Sequence, residues 1–190
     1  MEALKQRILE EGIVLSDQVL KLDAILNHQI DPKLTTVMGK ELAARFRDQQ
    51  VTKIMTVESS GIPIAFVVAA ELGVPLVFAR RKKTLVGDTE TYSERVPSFT
   101  KGIVTDIMVS RQFLHADDRI LFIDDIIANG DAARGLIKII ERAGATLVGM
   151  GVVVEKCFQH GASSIREQGV RLEALVKIKS LEDGKVQFQE

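Results

Sequence analysis

Two adjacent carboxylates, Asp124 and Asp125, close the apolar run Ile120 to Ile123 in the stretch ILFIDDIIANGDAARGL. Ile126 and Ile127 follow, then Asn129-Gly130, then apolar residues at the spacing of a helix. A carboxylate pair at a strand end has two plain readings, a helix N-cap or a solvated loop. Its chemical reading is acceptance of hydrogen bonds from sugar hydroxyls, directly or through a magnesium ion. Asn-Gly is in isolation a hairpin signal, but the residues after it have helical spacing and do not form a second alternating strand. The turn therefore opens a helix, whose unpaired N–H groups and dipole favour a phosphate. Gly130 lets backbone approach such a ligand with no side chain in the way. Carboxylates for the hydroxyls and amides for the phosphate together describe a site for a ribose 5-phosphate.

Two other nucleotide sites are excluded by missing residues. A triphosphatase loop needs a lysine and a hydroxyl after its second glycine. Gly130 to Gly135 has the right gap, but Leu136 and Ile137 follow. A dinucleotide fingerprint fails as well, since no G-x-G-x-x-G follows any strand pattern.

The elements that must position the pair can be read from apolar spacing. Strands are expected at Lys53 to Val57, Val74 to Ala79, Ile103 to Val109, Arg119 to Asp124, Val148 to Val154 and Leu172 to Ile178. Between them, Ile62 to Leu72 reads as a helix. Ala132 to Ala143 reads as another, with apolar residues at 133, 136, 137, 140 and 143 and Gly144 as its stop. The strands are apolar runs rather than alternating ones, as burial on both faces of a parallel sheet requires. The expected fold class is α/β, an open, mostly parallel sheet flanked by helices. In open α/β sheets the carboxyl ends of the strands form the binding edge. Two regions break the rhythm. Lys82 to Lys101 is polar, without clear periodicity, and reads as a long loop of functional character. The first thirty residues read as a small lid or hood, before a helix capped by Asp31 and started by Pro32.

Composition narrows the class further. At 190 residues and 46% hydrophobic, the chain has a sizeable core to bury and reads as one domain over 1–190. A net charge of −1 argues against nucleic acid or an anionic membrane as partner. One cysteine, Cys157, rules out an internal disulfide and suits a reducing cytoplasm. Neither a signal peptide nor a transmembrane span is expected from the sequence.

ILFIDDIIANGDA resembles the signature of the type I phosphoribosyltransferases: apolar strand, acidic pair, two apolar residues, phosphate loop. The resemblance covers essentially the whole chain. Within the family, VLKLDAILNHQIDP, ESSGIP and VVVEKCFQHG are similar to the branch of purine salvage enzymes that act on xanthine. It implies the family fold with an N-terminal hood, mainly residues 1–30 with the C-terminal end. It further implies transfer of a phosphoribosyl group from 5-phosphoribosyl-1-pyrophosphate (PRPP) to xanthine, with Mg2+ carried by PRPP and bound directly by no protein residue. The product would be xanthosine 5′-monophosphate, and the assembly a homodimer.

Position by position, the resemblance assigns Ala128, Asn129, Gly130, Asp131 and Ala132 to the 5-phosphate. Asp124 and Asp125 fall on the ribose hydroxyls as the catalytic pair. Glu58, Ser59, Ser60 and Gly61 match the loop that meets pyrophosphate, often through a non-proline cis peptide; a plain turn opening the next helix fits the same residues. Arg80, Arg81, Lys82 and Lys83 form the densest basic cluster, read either as a solvated loop or as neutralising pyrophosphate. Lys156, after a buried strand, either snorkels to solvent or donates to the purine 6-oxygen, which would disfavour the amino group of adenine. Phe158 either stacks on the base or fills core. Leu20 and Asn27 of the hood match xanthine contacts, and Asn27 offers both a donor and an acceptor to the 2-oxo edge.

There are departures from the family pattern. Asn129 stands where many relatives have threonine, and is expected to keep a hydrogen-bonding cap. Ala128 replaces an aspartate of the hypoxanthine–guanine enzymes. Asp131 is an odd neighbour for a phosphate, and its side chain is expected to point away. The rival readings are transfer to guanine, hypoxanthine or adenine, or a regulator that senses PRPP without catalysis. The regulators add a DNA-binding domain, for which the chain has neither the length nor a basic N-terminus.

Overall fold

A computed structural model of the chain describes residues 1–81, 89–98 and 103–189. The chain begins with helix α1 (Glu2–Glu11), the hairpin β1 (Ile13–Ser16) and β2 (Val19–Lys21), and one π-helical stretch, Asp23–Asn27. Helix α2 (Pro32–Arg45) follows, with Asp31 Oδ1 accepting from the N–H groups of Lys33 (2.9 Å) and Leu34 (3.0 Å). This is the cap that Asp-Pro predicts. The body runs β3 (Lys53–Val57), α3 (Ile62–Leu72), β4 (Leu76–Arg81), β5 (Thr91–Ser98), β6 (Ile103–Ser110), β7 (Arg119–Ile127), α4 (Asp131–Arg142), β8 (Thr146–Lys156), α5 (Gly161–Glu167), β9 (Leu172–Ser180) and β10 (Gln187–Phe188).

Eight strands form one sheet in the order β10-β9-β8-β7-β3-β4-β6-β5. From β9 to β4 every neighbouring pair is parallel, and the flanking pairs are antiparallel. Strand β7 shows why the sequence is apolar throughout. Leu121 and Ile123 enter a core shared with α1, α2 and α3, while Ile120 and Phe122 enter one shared with α4 and α5. Period-two alternation sends neighbours to opposite faces, and both faces are covered.

The stretch read as a long loop is corrected by the structure. Thr91–Ser98 is a strand that pairs with β6 over eight registered residues, from Thr91↔Ser110 to Ser98↔Ile103. Its composition hides it because it is an edge strand, exposed enough to carry Ser, Glu and Arg, and an edge tolerates Pro97. Among the described side chains of the strand, only Val96 is fully buried. Strand β7 also extends three residues beyond the expected end, so both aspartates lie within it. Among the described residues, no helix is long and apolar enough to cross a membrane.

At the opposite edge of the sheet from the acidic pair, Lys53 begins β3 although the whole strand is buried. Its ammonium donates to Asp118 Oδ2 (2.7 Å) and to the Phe113 carbonyl (2.8 Å), and Asp118 Oδ2 also accepts from the His115 N–H (2.8 Å). Burial opposes ionisation of Asp118, but the bonds from Lys53 and His115 outweigh it and hold its carboxyl below the usual range. Asp118→Ala leaves the lysine buried without its counter-ion, and should cost about 3–5 kcal/mol in urea unfolding at neutral pH. Because the folded carboxyl is the more acidic, this stabilisation is present above the ordinary carboxylate range. It fades as pH falls through the depressed folded value. The two proteins should therefore converge in stability in acid, and a constant gap would contradict the assignment.

Candidate active site

The carboxyl ends of β3, β4 and β7 meet the N-terminus of α4 around a cavity of about 250 Å³. Its lining includes Glu58 and Ser60 after β3, Arg81 at the end of β4, and the run Asp124 to Ala133. Val96 and Pro97 of β5 complete the wall. The two aspartates are held by bonds to backbone and hood. Asp124 Oδ1 accepts from the Asp125 N–H (3.0 Å), and Asp125 Oδ2 accepts from Asn27 Nδ2 (2.7 Å). Burial, then the negative charge of Asp125, push the Asp124 carboxyl well above the ordinary carboxylate range, against a smaller opposing pull from Arg81.

After β7 the chain turns at Gly130, which has φ 78° and caps α4 without any side-chain hydrogen bond. Asn129 therefore does not supply the cap expected of it. The physical reason is that the left-handed glycine takes the N-cap position itself, leaving no side chain there to cap the first turn. Gly161, at the start of α5, supports this loop from behind. Its N–H donates to the Ala128 carbonyl (3.0 Å), and a Cβ at Gly161 would stand 2.2 Å from that oxygen and 2.7 Å from the Gly130 nitrogen. The Asp131 carboxylate, although in the cavity wall, is paired with Arg134 (2.6 Å).

The loop after β3 contains a cis peptide between Glu58 and Ser59. The Glu58 carboxylate accepts from the Arg81 N–H and lies 3.9 Å from Arg80 Nε, which ties the loop to the end of β4. A Cβ at Gly61 would meet Thr56 Oγ1 at 2.3 Å and Asp124 Oδ1 at 3.0 Å. Only glycine lets this loop run so close to the acidic pair. Lys82 and Lys83 lie outside the described residues.

The site residues expected on the hood side form a second group, outside the cavity wall. Lys156, 8% exposed at the end of β8, donates to the Gln18 carbonyl in the hairpin turn (2.8 Å). It does not snorkel to solvent, and burial lowers its ammonium pKa. Leu20 is buried and Phe158 half-buried, both packed in the core beneath the hood. Asn27 is the residue that joins the two groups, through its bond to Asp125.

A profile of the phosphoribosyl transferase domain matches residues 24–176, which include the whole cavity wall together with Asn27, Lys156 and Phe158 but not Leu20. The chain belongs to the phosphoribosyltransferase family. It is 53% identical to the xanthine phosphoribosyltransferase of Moorella thermoacetica over 99% of this chain and 96% of that one. It is equally similar, at 53%, to the enzyme of the same name from Stutzerimonas stutzeri, over 99% of both chains. Among solved structures, the adenine phosphoribosyltransferase of Giardia lamblia complexed with 9-deazaadenine superposes with a TM-score of 0.72. It is 25% identical and covers 84% of this chain and 86% of that one. The adenine phosphoribosyltransferase of Rhodothermus marinus also gives 0.72, at 24% identity, over 93% of this chain and 99% of that one. The fold is thus that of the type I phosphoribosyltransferases, a mostly parallel sheet flanked by helices with a small N-terminal hood.

Three parts of this candidate site are not apparent from sequence. Val96 and Pro97 were hidden in the supposed loop. Gly161 closes the segment VVVEKCFQHG, but its only signal is a glycine at a helix start. Arg134 had the sharpest available signal, a cation three residues after the unexplained Asp131 on a helix. The raised Asp124 carboxyl gives a direct check. In a 13C-labelled sample the Asp124 carboxyl should titrate above the ordinary carboxylate range, and Asp125→Asn should lower its midpoint by removing the neighbouring charge. A midpoint unmoved by that substitution would contradict the coupling.

Proposed function

We propose that the protein is a xanthine phosphoribosyltransferase, converting PRPP and xanthine into xanthosine 5′-monophosphate and pyrophosphate. The observation that carries this is full-length identity of 50–53% to relatives of that name, joined to a cavity that combines an acidic pair with an uncapped helix start. The solved neighbours named for adenine are far less similar in sequence, at 19–25%. Lys156 also disfavours adenine, since a cationic donor facing a 6-amino group is a donor–donor clash.

In this reading the loop of residues 128–132 holds the 5-phosphate, and Asp124 and Asp125 accept from the ribose hydroxyls. The loop Glu58 to Gly61, with Arg81, faces the pyrophosphate, to whose binding Lys82 and Lys83 are also assigned. Leu20, Asn27, Lys156 and Phe158 form the purine side under a hood made of residues 1–30 and the C-terminal end. The bond from ribose carbon 1 to pyrophosphate breaks and one to a purine nitrogen forms. The chain contributes by holding both partners in line and excluding water, an effect worth roughly 7–11 kcal/mol at best. Among the described residues no three His, Cys, Asp or Glu side chains converge as a metal cage. In this reading Mg2+ arrives on PRPP and is bound directly by no protein residue. That ion would offset the charge of the departing pyrophosphate.

We further propose a homodimer. Phe66 and Phe78, 64% and 42% exposed, border an apolar groove with Ile62 and Leu76, at the start of α3 and along β4. The groove adjoins the loop at 58–61 and the basic end of β4, and a second copy would cover it in a self-complementary contact. Sedimentation should show a dimer that Phe66→Asp dissociates; a wild-type monomer at micromolar concentration would contradict it. The reducing cytoplasm suits the single free thiol, Cys157.

Activity is tested by incubating the protein with PRPP, Mg2+ and each purine in turn. Xanthine should be the preferred acceptor; preference for adenine would contradict the assignment, and turnover of no purine would contradict the activity. Lys156→Ala should raise the xanthine KM by about ten-fold or more, the worth of a hydrogen bond from a charged donor, and leave the KM for PRPP near its original value. Equal losses for both substrates would make Lys156 a structural tie to Gln18 instead.

A further inference from the structure

Asp131 places a negative charge at the mouth of a loop shaped to hold a negative ligand. Its carboxylate lines the cavity beside Asn129 and Gly130, in the first turn of α4. Two unit charges of like sign at contact distance repel strongly in a partly dry site, so the loop needs a remedy. The remedy is one turn along the helix. Arg134 Nη2 bonds Asp131 Oδ1 at 2.6 Å, and Arg134 Nη1 donates to Ser164 Oγ at 3.0 Å. Ser164 belongs to α5, and its hydroxyl donates in turn to the Gly161 carbonyl (2.9 Å). The guanidinium is thus fixed from two helices, with Nη1 only 3.1 Å from where a Cβ of Gly130 would stand. It lies against the loop on a side chain that is 36% exposed, and the Asp131 side chain keeps only 16% of its exposure.

We propose that Arg134 is a positioning residue for the phosphate loop, the fixed counter-ion that cancels Asp131 and so makes the loop accept a phosphate. This rests on the phosphoribosyl reading above and extends it to a residue that touches no substrate. Arg134 acts through Asp131: with the guanidinium in place the pair is neutral toward the ligand. Without it an ionised carboxylate faces the incoming phosphate, and the loop loses a tie to α5.

A double-substitution cycle separates this from a merely structural role. Binding of PRPP with Mg2+ would be measured by calorimetry on the unaltered protein, Arg134→Ala, Asp131→Asn and the double variant, each first shown to be folded by its thermal transition. Arg134→Ala should weaken binding by about ten-fold or more, the scale expected for close charges in contact. Asp131→Asn should bind at least as tightly as the unaltered protein. The double variant should recover most of the loss, to within about three-fold of the original. A double variant as weak as Arg134→Ala would overturn the proposal, because the arginine would then act directly or through packing alone. An Asp131→Asn variant that binds more weakly would overturn it as well, since the carboxylate itself would then serve the ligand. Failure of the unaltered protein to bind PRPP would instead overturn the phosphoribosyl reading, and this inference with it.

Discussion

Two carboxylates on consecutive residues of a buried strand repel each other and are costly to keep away from water. Asp124 and Asp125 are in that position at the end of β7, and the raised pKa of Asp124 records the cost. The surrounding elements can be understood as what tolerates it. Asn27 comes from the hood to donate to Asp125, the backbone N–H of Asp125 turns back to Asp124, and Gly61 keeps side-chain bulk away from the Asp124 carboxylate. The helix start at Gly130 lies just beyond, its first turn uncapped by any side chain. A ligand with hydroxyls at one end and a phosphate at the other satisfies the carboxylates and the amides together. The fold around them is mostly a means of bringing four chain segments to that one edge.

The same logic explains why the hood is more than a cover. Lys156 and Gln159 both bond Gln18 in the hairpin turn, and Asn27 bonds Asp125. The residues assigned to the purine thus contact the hood or the acidic pair in the free protein. On the other flank, α5 reaches the loop before α4 through Gly161, which bonds Ala128, and Ser164, which bonds Arg134, and is itself anchored by Arg166 on the buried Glu155 (2.7 and 2.6 Å).

Much of this was legible because parallel strands buried on both faces leave long apolar runs. β3 and α3 emerge at the boundaries expected from apolar spacing, and the Asp31-Pro32 cap is where side-chain chemistry demands it. The acidic pair and Asn129-Gly130 were readable as a site since their residue types are wrong for a core. What could not be read were features set by tertiary contact. β5 is a strand because β6 pairs with it, not because its own residues alternate. Asn129 looked like a cap until Gly130 took that place. The need for glycine at 161 comes from the distant loop at Ala128 to Gly130, which no local pattern reports.

The central claim is that a ribose 5-phosphate lies between the acidic pair and the start of α4. A crystal structure with xanthosine 5′-monophosphate bound tests it most directly. The account predicts the phosphate oxygens within hydrogen-bond distance of backbone N–H groups in the loop of residues 128–132, with the ribose hydroxyls on Asp124 and Asp125. A phosphate bound elsewhere, or a ribose turned away from both aspartates, would contradict it.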